Sequence, residues 1–392
     1  MSVSELLWNR SRSLYRAYAA WRALRTGSLI ERELAYYRRL RDKLGELPSL
    51  EDRLRKRLEA RGIRPAPKPV SGIHVLYASR PSSWERHNIQ EEISGFCRLT
   101  PYYYGERGFD DNRPDWISGR HKLDEDLFGF VKNVHKKRPV DIFLGYLSGW
   151  QVSPETIKRI GALGIATCGF HLDDKVSFRG RLAGGRWSGP AALAAGYDLN
   201  LTSTPSSVMK YEAEGGCAMF WPEGANPAHF KPLGLPYVYD VSFVGARYGY
   251  RPILIDFLER SGVKVAAFGP GWPGGAVTED KMVEIYSRSR VNLGFGGIGY
   301  SWTSHLKGRD FEVPMCGAVY LTSANPELGS VYEVGRDIFD YRDRGECLSR
   351  INEILADYGR YESLKAGIRK KCLAAHTWSS RFAGLFKILG FN

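Results

Sequence analysis

Short apolar runs alternate with helical stretches along most of the chain after Gly72. In the first half these runs predict the strands IHVLYA (73–78), DIFLGYL (141–147), IATCGF (165–170), YDLNLTS (197–203) and AMFWP (218–222). Helical patterns at 154–163 and 206–213 lie between them. Short buried strands separated by helices are typical of a parallel sheet covered on both faces. We therefore predict a Rossmann-like domain over residues 70–222.

A second series of the same kind follows a break rich in Pro and Gly at 222–236. Its predicted strands are DVSFVGA (240–246), VKVAAFG (263–269), VNLGF (291–295) and AVYLTS (318–323), and its predicted helices cover 252–261, 280–289, 347–357 and 361–376. This predicts a second Rossmann-like domain over 236–375, followed by a C-terminal helix at 376–392 that can cross back. We expect an α/β fold in which the two domains face each other across a cleft, with ligands at the carboxyl ends of the strands.

Residues 1–65 form a predicted helical appendage, and the stiff linker RPAPKPV (64–70) follows it. In the segment 4–25 one helical face carries Leu7, Leu14, Tyr18 and Trp21. Such a face suits an interfacial helix on an anionic membrane, and it equally suits packing on another helix or on a second subunit. A second helix is expected over about 30–44, and a third begins after Ser49 as N-cap.

Charge is concentrated in this appendage. The formal net charge of the 392 residues is +13, and residues 1–69 hold 17 Lys+Arg against 8 Asp+Glu. A basic appendage on a nearly neutral body indicates an anionic partner surface, either lipid or nucleic acid. The six cysteines show no CxxC or CxxH spacing, which gives no signal for a zinc site or a disulfide framework. No apolar run is long enough to span a bilayer and no secretory signal is evident, so we expect a cytoplasmic protein.

Three loops of the second domain follow strands directly and should meet at one edge of its sheet. They are GARYGYR (245–251), FGPGWPGG (268–275) and GFGGIGYSWTSHLKGR (294–309). Glycines such as Gly245 and Gly269 allow close backbone approach to a ligand, and guanidinium or ammonium groups can bind a diphosphate. The basic candidates are Arg247, Arg251, Lys307 and Arg309. Surface arginines on βα turns are the alternative interpretation. No GxxxxGK[ST] motif is present, which disfavours a P-loop NTPase.

A carboxylate, Glu312, follows these cations where a helix should begin. It can accept hydrogen bonds from a ribose diol. The alternative is a helix N-terminal carboxylate that only stabilises the helix dipole.

These residues, together with WPEGANPAHFKP and KGRDFEVPMCGAVYLTS, the later Glu333 and Gly335, and DYRD at 340–343, resemble glycosyltransferases of the two-Rossmann-domain, GT-B type. Within that type the chain is most similar to the spore-maturation CgeB-like group and to family-four-like sugar transferases, over roughly residues 140–385. The resemblance implies that Glu312 holds the ribose of a nucleotide-sugar donor. It also implies that the arginines and Lys307 neutralise the diphosphate, with no metal or other cofactor required.

One position departs from the family pattern. Related transferases often carry two glutamates eight positions apart, and the earlier position is Ser304 here. The donor sugar and the stereochemical course therefore stay open, with retention favoured by the resemblance alone.

The first domain should bind the acceptor and supply a base. After the strand IATCGF, the run HLDDK contains His171, Asp173 and Asp174. In the loop 79–92, Trp84 can stack on a sugar, and His87 or Glu91 can take a proton. We favour Asp173 over His87 as the catalytic residue; capping and turn roles are the alternative for each.

The sequence thus predicts a cytoplasmic glycosyltransferase of the hexosyltransferase class, peripheral on the inner membrane leaflet and active in polysaccharide biosynthesis. It would move a sugar from a nucleoside diphosphate to a hydroxyl of a glycan or lipid-linked glycan, and its N-terminal helices can support an oligomer. The alternatives are a nucleotide-sugar epimerase on the same architecture and a basic scaffold associated with nucleic acid. The second is disfavoured because no nucleic-acid recognition motif is present.

Overall fold

The computed structural model describes residues 3–80 and 84–391 and divides the chain into two compact units. One, called the N-unit, comprises Arg32–Pro222 and Trp378–Asn392. The other, called the C-unit, comprises Met1–Glu31 and Glu223–Thr377. In the described part of the chain, no helix has the length and apolar character needed to cross a bilayer.

The chain begins with three helices, α1 (Val3–Arg10), α2 (Arg12–Asp42) and α3 (Leu50–Glu59). The two helices predicted over 4–25 and 30–44 are wrong as separate elements, because α2 runs unbroken through Gly27. Its buried side chains form one continuous stripe, Tyr15, Ala19, Ala23, Ile30 and Tyr37. This stripe recurs at helical spacing across Gly27, and its burial outweighs the roughly 1 kcal/mol that an interior glycine costs. The Ser49 hydroxyl accepts the Asp52 N–H, as predicted for the N-cap of α3.

The apolar face predicted for the first helix and the face that the structure buries are different faces. The structure buries Trp8, Tyr15 and Ala19, whereas Leu14 and Trp21 are exposed. The exposed Leu14 and Trp21 belong to the predicted face, and the buried stripe lies on another face of the helix.

The N-unit is built on a six-stranded parallel sheet. Its elements are β1 (His74–Ser79), α4 (Glu91–Phe96), β2 (Arg98–Tyr103), α5 (Trp116–Lys137), β3 (Ile142–Gly145), α6 (Pro154–Gly161), β4 (Ala166–His171), α7 (Asp174–Ser177), the small hairpin β5 (Leu182–Ala183) and β6 (Arg186–Trp187), β7 (Leu199–Thr202), α8 (Val208–Ala213) and β8 (Ala218–Phe220). The strand order is β2-β1-β3-β4-β7-β8, with every pair parallel. The sequence did not predict strand β2, because it is an edge strand that contains Pro101 and its first four residues are exposed or partly exposed.

The C-unit has a five-stranded parallel sheet. Its elements are β9 (Tyr239–Val244), α9 (Arg251–Arg260), β10 (Val265–Phe268), α10 (Glu279–Ser287), β11 (Ser289–Leu293), α11 (Arg309–Met315), β12 (Tyr320–Ser323), β13 (Phe339–Tyr341), α12 (Arg344–Ala356) and α13 (Tyr358–Ala375). The strand order is β10-β9-β11-β12-β13, again all parallel. The predicted parallel α/β architecture is therefore confirmed in both units.

The last helix, α14 (Trp378–Ile388), packs in the N-unit. Its buried Trp378, Phe382, Leu385 and Phe386 belong to the same apolar core as strand β1. The Trp378 indole N–H donates to the Asn88 side-chain oxygen at 2.9 Å, and Glu92 accepts the backbone N–H of Ser379 at 2.7 Å. The chain thus enters the N-unit sheet, builds the C-unit, and ends in the N-unit core.

Candidate functional site

Two glycine-bearing loops of the C-unit contact each other at the carboxyl edge of its sheet. Strands β9 and β10 are neighbours, and the Gly245 N–H donates to the Phe268 carbonyl at 2.8 Å. Gly269 has φ +121°, and a Cβ there would lie 2.5 Å from the Gly245 carbonyl oxygen. Gly269 is therefore required for the two loops to approach each other, whereas a Cβ on Gly245 would meet the side chains of Phe243 and Arg309.

Two arginines converge beside Gly245. Arg251 is the first residue of α9 and Arg309 the first of α11. Their Nη1 atoms lie 3.5 Å and 3.2 Å, respectively, from the point where a Cβ on Gly245 would be. Arg251 is buried, its Nη1 donates to the Ala246 carbonyl at 2.8 Å, and its guanidinium lies 4.2 Å from the centre of the Tyr248 ring.

The positive charges of Arg251 and Arg309 favour binding of an anion between them. Among the described residues, no carboxylate forms an ion pair with Arg251. Burial, and then the neighbouring Arg309, lower the pKa of the Arg251 guanidinium to about 10. The Arg251 cation is disfavoured both by burial and by the charge of Arg309, and a bound anion would relieve both effects.

The start of α11 brings two carboxylates to the same glycine. A Cβ on Gly308 would lie 2.8 Å from Oε1 of Glu312 and 2.8 Å from Oε2 of Glu223, and both glutamates are buried. The neighbouring Asp310 has a structural role, because its carboxylate accepts the Tyr320 hydroxyl and the Lys307 N–H, each at 2.8 Å. Glu312 therefore lies in the first turn of α11, the helix that begins with Arg309, and Glu223 is an additional acid beside Gly308.

Glu223 was missed at the sequence level. It belongs to the run WPEGANP, which carried the family resemblance as a phrase and not as a chemical group. The signal available in the sequence was an acid directly after a proline in the break between the two predicted domains.

The other predicted donor residues have varied surroundings. Lys307 Nζ lies 2.7 Å from Nε2 of His305. Arg247 lies between two indoles, with its guanidinium 4.5 Å from the Trp8 ring centre and 5.4 Å from that of Trp272. This aromatic stacking, which includes a residue from α1, was not foreseen for Arg247.

A cavity of about 430 Å³ opens next to Arg251 in the C-unit. Its wall combines Arg251, Ser304 and Ser323 with two aromatic pairs. The ring centres are 5.7 Å apart in Tyr248–Tyr300 and 4.8 Å apart in Tyr250–Trp302. Aromatic faces together with hydroxyl groups suit the apolar and polar faces of a sugar ring.

In the N-unit, the run after β4 separates into buried and exposed residues. Asp173 is exposed at the carboxyl end of β4, whereas His171 and Asp174 are buried. Burial lowers the pKa of His171 to about 3 and raises the pKa of Asp174, whose carboxylate accepts the Tyr211 hydroxyl at 2.8 Å. The structure thus leaves Asp173 as the accessible acid of the three.

His87 follows β1 along the chain, and β1 is two strands from β4 in the sheet. It lies in a π-helical turn, Glu85–Gln90, and its Nδ1 is 2.7 Å from Oε1 of Glu91, with both side chains about half exposed. Trp84 packs edge-on against Trp378, with ring centres 6.1 Å apart, so part of the ring predicted to stack on sugar is used in the core.

Metal-ligating side chains do not gather at these positions. Across residues 3–80 and 84–391, no group of three or more His, Cys, Asp or Glu is arranged to hold a metal ion.

Comparisons with known proteins point to one fold. Residues 251–387 match the family model described as "Glycosyl transferase-like". Among solved structures, sucrose-phosphate synthase from Thermosynechococcus elongatus is 14% identical, with 81% of this chain and 99% of that chain covered at a TM-score of 0.52. HepE from Anabaena, in complex with UDP and glucose, is 12% identical, with coverage of 81% and 99% at 0.52.

A third structure, a glycosyltransferase from Rickettsia africae, is 8% identical, with coverage of 81% and 98% at a TM-score of 0.52. No curated protein sequence matches the chain. At these identities the structures establish the fold, which is the GT-B fold.

Proposed function

We propose that this chain is a glycosyltransferase that moves a sugar from a nucleoside diphosphate to a hydroxyl of a glycan acceptor, and its family match over residues 251–387 and its GT-B fold support this proposal. One observation supports the donor class above all others. Arg251 and Arg309 are held side by side at the loop edge of the C-unit, and the pKa of Arg251 is lowered. A diphosphate, with its dense negative charge, matches that arrangement.

Different residues of the C-unit bind different parts of the donor, according to their charge. The diphosphate binds Arg251 and Arg309, since guanidinium forks pair well with phosphate oxygens. The ribose diol donates to Glu312, with Glu223 as the second acid beside Gly308. The transferred sugar enters the aromatic cavity that Arg251 also lines. Lys307 and Arg247 add positive potential around the loops, and Ser304 faces the sugar.

The leaving diphosphate gains negative charge as the glycosidic bond breaks. Fixed guanidinium groups aimed at that charge stabilise the transition state without reorganisation, a role that can be filled without a divalent metal. This arrangement favours a metal-independent reaction, with Gly245 and Gly269 keeping the backbone close to the diphosphate.

The acceptor hydroxyl is deprotonated by a group of the N-unit. We assign this role to Asp173, because it is exposed at a strand end whereas His171 and Asp174 are buried. His87, paired with Glu91, is the second candidate. We propose that the anomeric configuration of the transferred sugar is retained.

HepE was solved with UDP and glucose, which makes UDP-hexose the first donor class to try. The acceptor is expected to be a glycan or a lipid-linked glycan made at the cytoplasmic face of an anionic membrane. The CgeB-like group is the proposed subfamily.

A nucleotide screen tests the donor proposal. UDP, GDP, dTDP and CMP are each added to the wild-type chain and to Glu312→Ala, and the melting temperature is measured. At least one nucleoside diphosphate should stabilise the wild type and lose most of that effect in the variant. If none of the four moves the melting temperature of the wild type, the donor assignment is overturned.

Product analysis separates the enzyme classes. An epimerase converts the donor with no acceptor present, whereas a glycosyltransferase releases nucleoside diphosphate in proportion to glycan formed.

A further inference from the structure

Helix α2 exposes a row of large apolar side chains on the side opposite its buried stripe. Leu14, Trp21, Leu24 and Leu29 are 57%, 51%, 71% and 57% exposed. Their positions along α2 place them within one helical face, whereas Tyr15, Ala19 and Ala23 are buried on the other. Single exposed apolar residues are ordinary, but a row of four on one helix marks an interaction surface.

Basic groups share this face. Arg25 is exposed, and its guanidinium lies 5.5 Å from the ring centre of Trp21; Arg32, one heptad after it, is also exposed. In the described residues neither arginine forms an ion pair, while Glu31 lies at the edge of the face. Other arginines of this helix point elsewhere, since Arg16 pairs with Asp256 at 3.2 Å.

We propose that this face of α2, defined by Leu14, Trp21, Leu24 and Leu29 with Arg25 and Arg32, docks on an anionic phospholipid bilayer. Leucine side chains and a tryptophan beside arginines match the boundary between acyl chains and negative headgroups. A second copy of the chain fits less well, because the arginines of two such faces would repel each other within an apolar contact.

Side chains of the same helix that adjoin this face contact the loops assigned to the donor. The Tyr15 hydroxyl donates to the Gly249 carbonyl at 3.0 Å. The Tyr18 ring lies edge-on to Tyr300, with centres 6.0 Å apart, and the Arg22 guanidinium is 4.6 Å from the Tyr300 ring centre. The proposed bilayer surface therefore borders the donor loops directly. This second consequence rests on the proposed function, whereas the docking surface does not.

Vesicle sedimentation tests the surface. The full chain is mixed with vesicles of phosphatidylglycerol and phosphatidylcholine, and with vesicles of phosphatidylcholine alone. The wild type should sediment with the anionic vesicles only. Trp21→Ser/Leu24→Ser should reduce that binding by at least about tenfold, because two large apolar side chains no longer enter the boundary of the acyl chains. Arg25→Gln should reduce it about fivefold.

Matched controls keep the result interpretable. Leu182→Ser/Leu233→Ser removes two leucines that are also exposed, 64% and 38%, and should bind vesicles as the wild type does. The altered side chains are solvent-exposed, so the melting temperature of each variant should stay near that of the wild type. The nucleotide screen, run on the same variants, should be unaffected, which separates a failure of docking from a failure of donor binding.

Three outcomes overturn the proposal. They are absence of wild-type binding to anionic vesicles, equal binding by Trp21→Ser/Leu24→Ser, and a change from dimer to monomer in that variant with vesicle binding unchanged. The last outcome would assign the face to a second copy of the chain.

Discussion

Replacing Arg251 by methionine should separate ligand binding from stability. Methionine keeps much of the length and apolar contact of the side chain and removes its charge. The lowered pKa of Arg251 corresponds to roughly 3 kcal/mol of unfavourable environment for the cation. Loss of its hydrogen bond to Ala246 costs about 1.5–3 kcal/mol in the other direction. The two effects nearly cancel, so the ligand-free protein should change in unfolding free energy by no more than about 1–2 kcal/mol.

Donor binding should respond very differently. A hydrogen bond from a guanidinium to a diphosphate contributes about 1.5–3 kcal/mol, so the Kd of the nucleoside diphosphate should rise about 10- to 150-fold. Titration calorimetry measures the Kd, and denaturant unfolding measures the stability of the same preparation. Arg260→Met, an exposed arginine at the other end of α9, is the matched control and should change neither quantity much.

The reasoning is refuted by either of two results for Arg251→Met. One is an unchanged Kd, which would mean that the arginine does not meet the diphosphate. The other is a loss of about 4 kcal/mol or more in stability, which would mean that Arg251 serves the fold and not a ligand.

The remaining predictions concern Glu312, Gly245 and His171. Glu312→Gln keeps the shape of the side chain but makes it a weaker hydrogen-bond acceptor, so the donor KM should rise about tenfold or more, with a smaller effect on kcat. Steady-state kinetics at a fixed acceptor concentration measure both constants, and an effect on kcat alone would contradict this prediction. Gly245→Ala places a methyl group 2.9 Å from the Phe243 ring and 3.2 Å from Arg309, so nucleotide affinity measured by calorimetry should fall at least about tenfold. Gly262→Ala is the control: its position has φ +89° and open space around it, and the substitution should leave nucleotide binding intact. The folded-state pKa of His171 is about 3, below the ordinary value of about 6.5, so the unfolded chain takes up the proton first as the pH falls. The unfolding free energy should therefore decrease between about pH 6.5 and pH 3, by up to about 1.4 kcal/mol per pH unit. Denaturant unfolding of His171→Gln should show a shallower decrease, and an unchanged slope would argue against a buried neutral imidazole.

Much of the fold follows from local pattern. Central strands such as Ile142–Gly145 and Ala166–His171 are wholly buried, and burial on both faces produces the continuous apolar runs that identify parallel strands. The pattern fails at the sheet edges. Strand β2 is partly exposed and contains Pro101, and strand β13 has only three residues with a polar one in the middle, so neither shows a continuous apolar run.

The long helix α2 shows a second limit. Thr26, Gly27 and Ser28 look like a break, and only tertiary burial of Ala23 and Ile30 on either side carries the helix through them. Local propensity is a weak guide where packing decides the outcome.

The sequence predicts the residues of the candidate donor site whose positions follow from the sheet topology. It does not predict contacts between side chains that are distant along the chain. Loops after adjacent parallel strands share an edge, so Gly245 and Gly269 could be grouped from the sequence. The stacking of Arg247 between Trp8 and Trp272, and the approach of Glu223 to Gly308, join residues far apart along the chain. No local pattern reports such pairings.

The most direct test of the account is a crystal structure of the chain with a bound nucleoside diphosphate. The account predicts phosphate oxygens within hydrogen-bond distance of Arg251 and Arg309, and ribose hydroxyls on the carboxylate of Glu312. A diphosphate bound away from both arginines, or a ribose with no contact to Glu312, would contradict it.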